Sequence, residues 1–555
     1  MPGLDRDAFR KLTGRTLDSL KPHESLARIS SAVRAQLTSD YPVRPIGSTA
    51  DTFTYMTEEQ RASHVHILGT TREGKSKLIE LMVRQDIDHG YGATVLDPSD
   101  GGQTVKDILR YCAQVGYRKV VYIDPHDHYA CLPTINPLRV PLNREGNPYA
   151  ADADAKVENV MESIRLLWGS RDFSDTAIIQ ANLTALLTVL VKARCTLPDA
   201  FYFASRGTPW VDARRAEILE RVRNVYRYDQ SLQSIENIFR KPPTSFDRDF
   251  GSTARRMKPF FTYLPSLMYG STTDTLDYVK LVREKWVVLV NLYRGNVWGV
   301  PQQRTLGTLV IAELINAIRY LSDRTPWRGR HYLYIDEAGQ YATRLLADTM
   351  AYSGKSGLWV TVAHQFYRQF EDEKVLDAVE NLCKVKVMFH VPNAADRSRM
   401  LRDLFSGSIP ENLNHWLSVL QKQQAIVKIQ KNEPQVVTIA DVPAASATDE
   451  QLQAFKDSIY ASNDFYRTKA AVESEIKNRF VRPQGEQVQD LRAAGKRAEP
   501  EPAAQQKEEK RDEGQDTQGA VGGPLVDSLP DSEAPLRPAV RRKPAGKPPA
   551  KPKAR

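Results

Sequence analysis

Gly69-Thr70-Thr71-Arg72-Glu73-Gly74-Lys75-Ser76 fits the pattern G-x-x-x-x-G-K-S/T, whose chemistry is the holding of phosphates. Two glycines let successive backbone N–H groups curl around an anion, and the start of a helix adds partial positive charge. In such a loop Lys75 reaches the β- and γ-phosphates, and the Ser76 hydroxyl ligates Mg²⁺. The flanks fit: the β-rich run His64-Val65-His66-Ile67-Leu68 precedes Gly69. After it, Leu78, Ile79, Leu81 and Met82 give one apolar helical face that stops near Gly90. The nucleotide-binding candidates are therefore Gly69, Thr70, Thr71, Arg72, Glu73, Gly74, Lys75, Ser76 and Lys77.

Hydrolysis needs more than a cradle. A carboxylate at the end of a neighbouring strand must complete the metal site, and a second polar group must orient the attacking water. The stretch HYLYIDEAGQ offers Asp336 as the metal partner, with Ser76, and Glu337 as the base that polarises water. A plainer reading makes the same Asp-Glu pair an acidic helix start. No guanine-reading N-K-x-D stretch occurs, so ATP is the expected nucleotide. The next β-rich run, LWVTVAHQ, ends in His364 and Gln365. Carboxyl ends of adjacent strands line the ligand crevice of an α/β sheet, so Gln365 is placed to sense the γ-phosphate and relay its loss. Glu337, Gln365 and Lys75 are the catalytic candidates.

The elements that would carry these residues can be read from pattern. Apolar runs at 64–68, 92–98, 119–125, 286–292, 331–337, 358–365 and 385–391 alternate with helical periodicity. Continuous apolar runs of that length indicate strands covered on both faces, hence an α/β fold with a mainly parallel sheet. Between 151 and 271 the patterns are helical only, as in ARRAEILERVRNVYRY, which reads as an inserted all-α domain. The expected organisation is an N-terminal extension over 1–60, a nucleotide-binding core over 61–150 and 272–445, the helical insertion over 151–271, and a helical segment over 446–481. From 482 to 555 the chain is rich in Gln, Glu, Lys, Ala, Pro and Gly and ends in KPAGKPPAKPKAR, a composition that favours a disordered basic tail. That tail reads either as a solvated end or as a non-specific nucleic-acid tether.

With 555 residues, 41% of them hydrophobic and 26% charged, the chain has material for two or three globular domains. The net charge of +9 suits an anionic partner. The four cysteines, Cys112, Cys131, Cys195 and Cys383, have no metal or disulfide spacing, which fits a reducing, cytoplasmic compartment. The most apolar window, from Thr176 to Cys195, is broken by Gln180, Asn182 and Thr184, so it reads as a buried helix and no transmembrane segment is expected.

Taken together, GTTREGKS, VLDPSDG, INPL (135–138), the helical insertion, YIDEAGQ and GLWVTVAHQ resemble the HerA/FtsK superfamily of P-loop ATPases. Within it the resemblance is to TraD/TraG-type coupling proteins of conjugation and type IV secretion, and it runs from about His64 to Val442. It implies a RecA-like core, ATP with Mg²⁺ bound between subunits of a hexameric ring, and DNA in the central channel. Lys75 and Ser76 then correspond to Walker A, Asp336 and Glu337 to Walker B, and Gln365 to the polar sensor. Two features depart from the family. Where related sequences have an Arg-Lys pair before the sensor strand, this chain reads Ser353-Gly354-Lys355-Ser356-Gly357, leaving Lys355, Arg294, Arg368 and Arg397 as candidates for the cation that reaches a neighbour's nucleotide. The family's N-terminal membrane helices have no counterpart in this sequence, so the expectation is either docking at the inner membrane through a separate membrane-bound secretion or relaxosome protein, or a motor that serves another DNA-processing task.

For DNA contact the preferred loop is Tyr293 to Gly299, which combines Arg294, Asn296 and Trp298 after a strand, though the same stretch reads equally as a helix-capping turn with Trp298 packed in the core. Arg255, Arg256 and Lys258 beside Phe260 and Phe261 form a second basic-aromatic cluster, whose aromatics read as core. Two functions follow: an ATP-driven DNA translocase of the coupling-protein type, or an ATPase adaptor that delivers protein substrates or a relaxase-like partner to a secretion channel without pumping DNA.

Overall fold

All seven expected apolar runs become strands, and six others form, four of which join them in one sheet. In chain order the strands are β1 (Arg44–Ser48), β2 (Phe53–Met56), β3 (Val65–Leu68), β4 (Gly92–Asp97), β5 (Val120–Ile123), β6 (Cys131–Pro133), β7 (Val287–Asn291), β8 (His331–Ile335), β9 (Leu358–His364), β10 (Val385–Met388), β11 (Gln424–Ile429), β12 (Gln435–Ile439) and β13 (Tyr466–Thr468). The computed structural model describes residues 44–48, 53–127, 131–168, 177–272, 276–295, 299–324, 327–405 and 420–480. The tail from 482, the first 43 residues, and Asn296, Val297 and Trp298 of the candidate DNA loop lie outside them, as does the side chain of Lys355.

One sheet runs β2-β1-β12-β11-β10-β3-β9-β8-β4-β7-β5. From β10 to β5 every pairing is parallel; β11, β12, β1 and β2 extend the sheet antiparallel beyond β10. The sheet is therefore mixed, and it recruits β1 and β2 from residues expected to form an N-terminal extension, so the core begins before residue 61.

The parallel strands are buried on both faces because alternate side chains enter two separate cores. Val288 and Val290 join one, Val287 and Leu289 the other; Leu333 and Ile335 part in the same way from Tyr332 and Tyr334. Helices Lys75–Asp88 and Gln103–Val115 cover the second face through Leu78, Ile79, Met82, Val105 and Ile108. Helices Val300–Arg324 and Arg344–Ser356 cover the first. Beneath the second-face helices, Arg61 pairs with Asp86 at 2.8 Å and stacks on the Tyr332 ring at 3.8 Å, which satisfies a charge pair buried from water.

Between β6 and β7 the described elements are helical: Ala150–Trp168, Ala177–Lys192, Pro209–Val225, Gln230–Arg240, Pro243–Met257 and shorter turns. Asn159 donates to Asn316 at 2.6 Å, and Lys156 pairs with Glu313, which joins the first of these helices to Val300–Arg324. The apolar window around Ala177–Lys192 is buried, with Leu183, Leu187 and Val189 fully covered. Among the described residues no single helix is long and apolar enough to cross a membrane. After β12 the chain returns: helix Asp449–Ser462 packs on the second face through Ile459, β13 pairs with β6, and helix Lys469–Phe480 reaches Asp199 through Arg479.

Candidate nucleotide site

The order β10-β3-β9-β8-β4-β7-β5 sets a row of polar residues along the carboxyl edge of the parallel strands. The loop after β3 is flanked by His364 at the end of β9 and Gln365 after it, by Asp336 and Glu337 after β8, and by Asp97 at the end of β4. Backbone bonds fix the spacing: Gly69 N–H donates to the His364 carbonyl at 3.2 Å, and Asp336 N–H to the Leu96 carbonyl at 3.1 Å. Segments 28 and more residues apart in sequence thus arrive at one edge because the strands beneath them are in register.

Gly74 holds φ = +124°, a conformation costly for any residue with a Cβ, and passes the chain into helix Lys75–Asp88. Lys75 is buried, and its ammonium donates to the carbonyls of Gly69 at 2.6 Å and Thr70 at 3.0 Å. Burial lowers its pKa, while Asp336, Glu337 and Glu73 act in the opposite direction. The loop is braced from β11's side by Gln423 N–H, which donates to the Glu73 carbonyl at 2.9 Å.

Ser76 Oγ donates to Asp336 Oδ2 at 3.3 Å. Burial, with Glu337 and Asp97 close by, pushes the Asp336 carboxyl up to about 7, against the pull of Lys75. A desolvated carboxylate beside other carboxylates, within reach of a hydroxyl, is a donor set that suits a hard divalent cation. Glu337 sits at φ = +50°, its N–H donating to Asp336 Oδ1 at 2.9 Å. Its carboxylate accepts from Gln365 Nε2 and from Gln369 Nε2, each at 2.6 Å. Gln365 in turn accepts from Thr71 Oγ1 at 3.1 Å, so the phosphate loop and Glu337 are joined through one side-chain amide.

The structure therefore brings together Lys75, Ser76, Asp336, Glu337, Gln365 and Thr71. Lys77 differs from expectation: its ammonium pairs with Glu80 at 2.7 Å and reaches Asp107 at 3.6 Å, so its side chain faces along the helix rather than into the loop. Of the cation candidates, Arg294 and Arg368 are exposed, whereas Arg397 donates to the Val391 carbonyl at 3.0 Å. Two features escaped the sequence reading. Gln369 lies four residues past Gln365, a Gln-x-x-x-Gln spacing visible in HQFYRQ but meaningless without the turn that folds it back. Beneath the loop, His66 and His364 meet Nε2 to Nε2 at 2.7 Å with rings stacked within 9°; burial holds His364 down to about 3, so the pair is neutral and one imidazole donates to the other.

The raised Asp336 carboxyl carries a pH signature. A cation competes with the proton, so Mg²⁺ affinity in the presence of ADP should fall about tenfold per pH unit as pH drops below about 7, and level off above about 8. A Mg²⁺ titration across that range reads it directly; a flat profile from pH ~5.5 to ~8.5 would remove Asp336 from the metal site.

No family model matches this sequence, and no curated protein matches it. Solved structures do. The unbound monoclinic form of a bacterial conjugative coupling protein, TrwBdeltaN70, is 15% identical, with 75% of this chain and 92% of that chain aligned at a TM-score of 0.50. Its trigonal form in complex with sulphate is 12% identical over 75% of this chain and 94% of that chain, also at 0.50. The chain shares that fold, a RecA-like P-loop core with a large, mostly parallel sheet.

Proposed function

We propose that this chain is an ATP hydrolase that moves DNA, acting as a homo-hexameric ring of the kind that couples DNA to a type IV secretion channel in conjugation. The observation that carries the reading is the junction of Thr71, Gln365 and Glu337 in one hydrogen-bonded path, beside Ser76 and Asp336 at 3.3 Å. A phosphate loop joined to a carboxylate base by a polar relay suits a hydrolytic cycle better than passive nucleotide storage. The fold likeness to a conjugative coupling protein supports the DNA assignment, as does the net charge of +9.

In this reading Lys75 exchanges the Gly69 and Thr70 carbonyls for the β- and γ-phosphates, while the loop N–H groups cradle them. Ser76 and Asp336 would hold Mg²⁺, which would offset the negative charge of the phosphates. Glu337 orients water and takes its proton; Gln365 passes the presence or loss of the γ-phosphate from Thr71 to Glu337. A cation from the neighbouring subunit, with Arg294 and Arg368 the exposed candidates, completes the site. The partners are DNA, other copies of the chain, and a membrane-bound secretion or relaxosome protein that keeps a cytoplasmic motor at the inner membrane.

The decisive measurement is ATP turnover on size-fractionated protein, with and without DNA. DNA should raise turnover several-fold, and added salt should abolish the rise as counterions compete for the phosphate backbone. Turnover indifferent to DNA but raised by a protein substrate would replace the translocase with the adaptor.

A further inference from the structure

We propose that Gln369 is a positioning residue that restrains Glu337, so that the base is released for catalysis only when Gln369 lets go. The inference rests on Glu337 being the base and adds the device that holds it at rest.

The polarity of the network is fixed by its donors. Gln365 N–H donates to Gln369 Oε1 at 2.8 Å, which obliges the other end of that amide, Nε2, to face Glu337 Oε2 at 2.6 Å. Gln365 Nε2 donates to Glu337 Oε1 at 2.6 Å, which leaves Gln365 Oε1 to accept from the Thr71 hydroxyl. Both carboxylate oxygens of Glu337 therefore accept an amide N–H, and its backbone N–H is spent on Asp336. Two amide donors, one on each oxygen, fix the rotamer of the Glu337 carboxylate and occupy the positions from which it would meet water. The two amides are not equivalent. Gln365 touches the phosphate loop through Thr71, so nucleotide can draw it away. Among the described hydrogen bonds of Gln369 none reaches that loop; its hold depends on the turn Tyr367–Gln369 staying against the turn Ala338–Gln340.

That contact is built into the sequence at Gly339. A Cβ there would lie 2.5 Å from Gln369 Cβ and 2.6 Å from its backbone carbon, so only glycine lets the two turns approach this closely. Arg368, one of the exposed cation candidates, sits on the same turn beside Gln369. Whatever engages Arg368 from outside acts on the residue that holds Glu337, which links subunit contact to release of the base.

The test compares wild type with Gln369→Met, which keeps the length and removes the amide, and Gln369→Asn, which keeps the amide but is one methylene too short to bridge Gln365 N–H and Glu337. Both should raise basal kcat by roughly five- to tenfold with KM for ATP changed less than about twofold, and should shrink the stimulation by DNA in proportion. A local folding defect would lower kcat, so a rise separates restraint from mere support; unchanged or reduced kcat in both variants, with melting temperatures at the wild-type value, overturns the inference. If wild type hydrolyses ATP and Glu337→Gln does not, that overturn leaves the hydrolase reading standing. If wild type shows no hydrolysis at all, both fall.

Discussion

Glu337→Gln should bind ATP with close to wild-type affinity and lose roughly 10²- to 10⁴-fold in kcat, the contribution expected of a positioned general base. The substitution is nearly isosteric and leaves Lys75, Ser76 and Asp336 in place, so the nucleotide contacts survive. What is lost is the proton acceptor. The neighbouring amides adjust at small cost: one of Gln365 and Gln369 still finds the oxygen of the new amide, and the other faces its NH₂ and must turn. Single-turnover phosphate release alongside equilibrium binding of a fluorescent ATP analogue separates the two effects. Bound, unhydrolysed ATP should also hold subunits together, visible as a larger species by light scattering. Turnover within tenfold of wild type would transfer the role of base away from Glu337.

Lys75→Ala acts at the opposite step. It removes a buried ammonium whose described acceptors are the Gly69 and Thr70 carbonyls, and so removes the buried cation of the loop, Arg72 being exposed. Nucleotide affinity should fall at least about a hundredfold, near 3 kcal/mol, and hydrolysis should vanish with it. Folding should be less affected. A buried lysine whose pKa is lowered by burial carries a desolvation cost, so its loss relieves that cost while leaving the Gly69 and Thr70 carbonyls to water. Melting temperature should therefore stay within a few degrees of wild type in the absence of nucleotide, and the nucleotide-dependent rise seen in wild type should disappear. Affinity within threefold of wild type would sink the assignment of this loop as the phosphate cradle.

Strands covered on both faces announced themselves. The seven parallel strands are mainly apolar runs such as VVLVN, and that pattern has few alternatives when the runs are short and separated by helical periodicity. The antiparallel flank was silent for the complementary reason. β12, Gln435–Ile439, is exposed at its start and buried only at alternate positions towards its end, and β1 carries Pro45 and Gly47 with an irregular register against β2. Such strands owe their existence to the neighbour they pair with, not to their own composition. The site shows the same division. Walker-type spacing made Lys75, Ser76, Asp336 and Glu337 legible because a local loop or strand end defines each. Gln369 and the His66–His364 pair arise from the crossing of distant segments, and no local spacing encodes them.

The place of β3 in the middle of the sheet has a consequence for biosynthesis. Its two partners are β9 and β10, and about 290 residues separate Leu68 from Leu358. At ~5–20 residues per second the ribosome takes roughly fifteen seconds to a minute to deliver them. Until then Val65, Ile67 and Leu68, all buried in the finished protein, have two unpaired edges, and the helix Lys75–Asp88 covers one face at most. The phosphate loop is thus made long before the strands that flank it, and until they arrive the strand beneath it keeps unpaired, apolar edges.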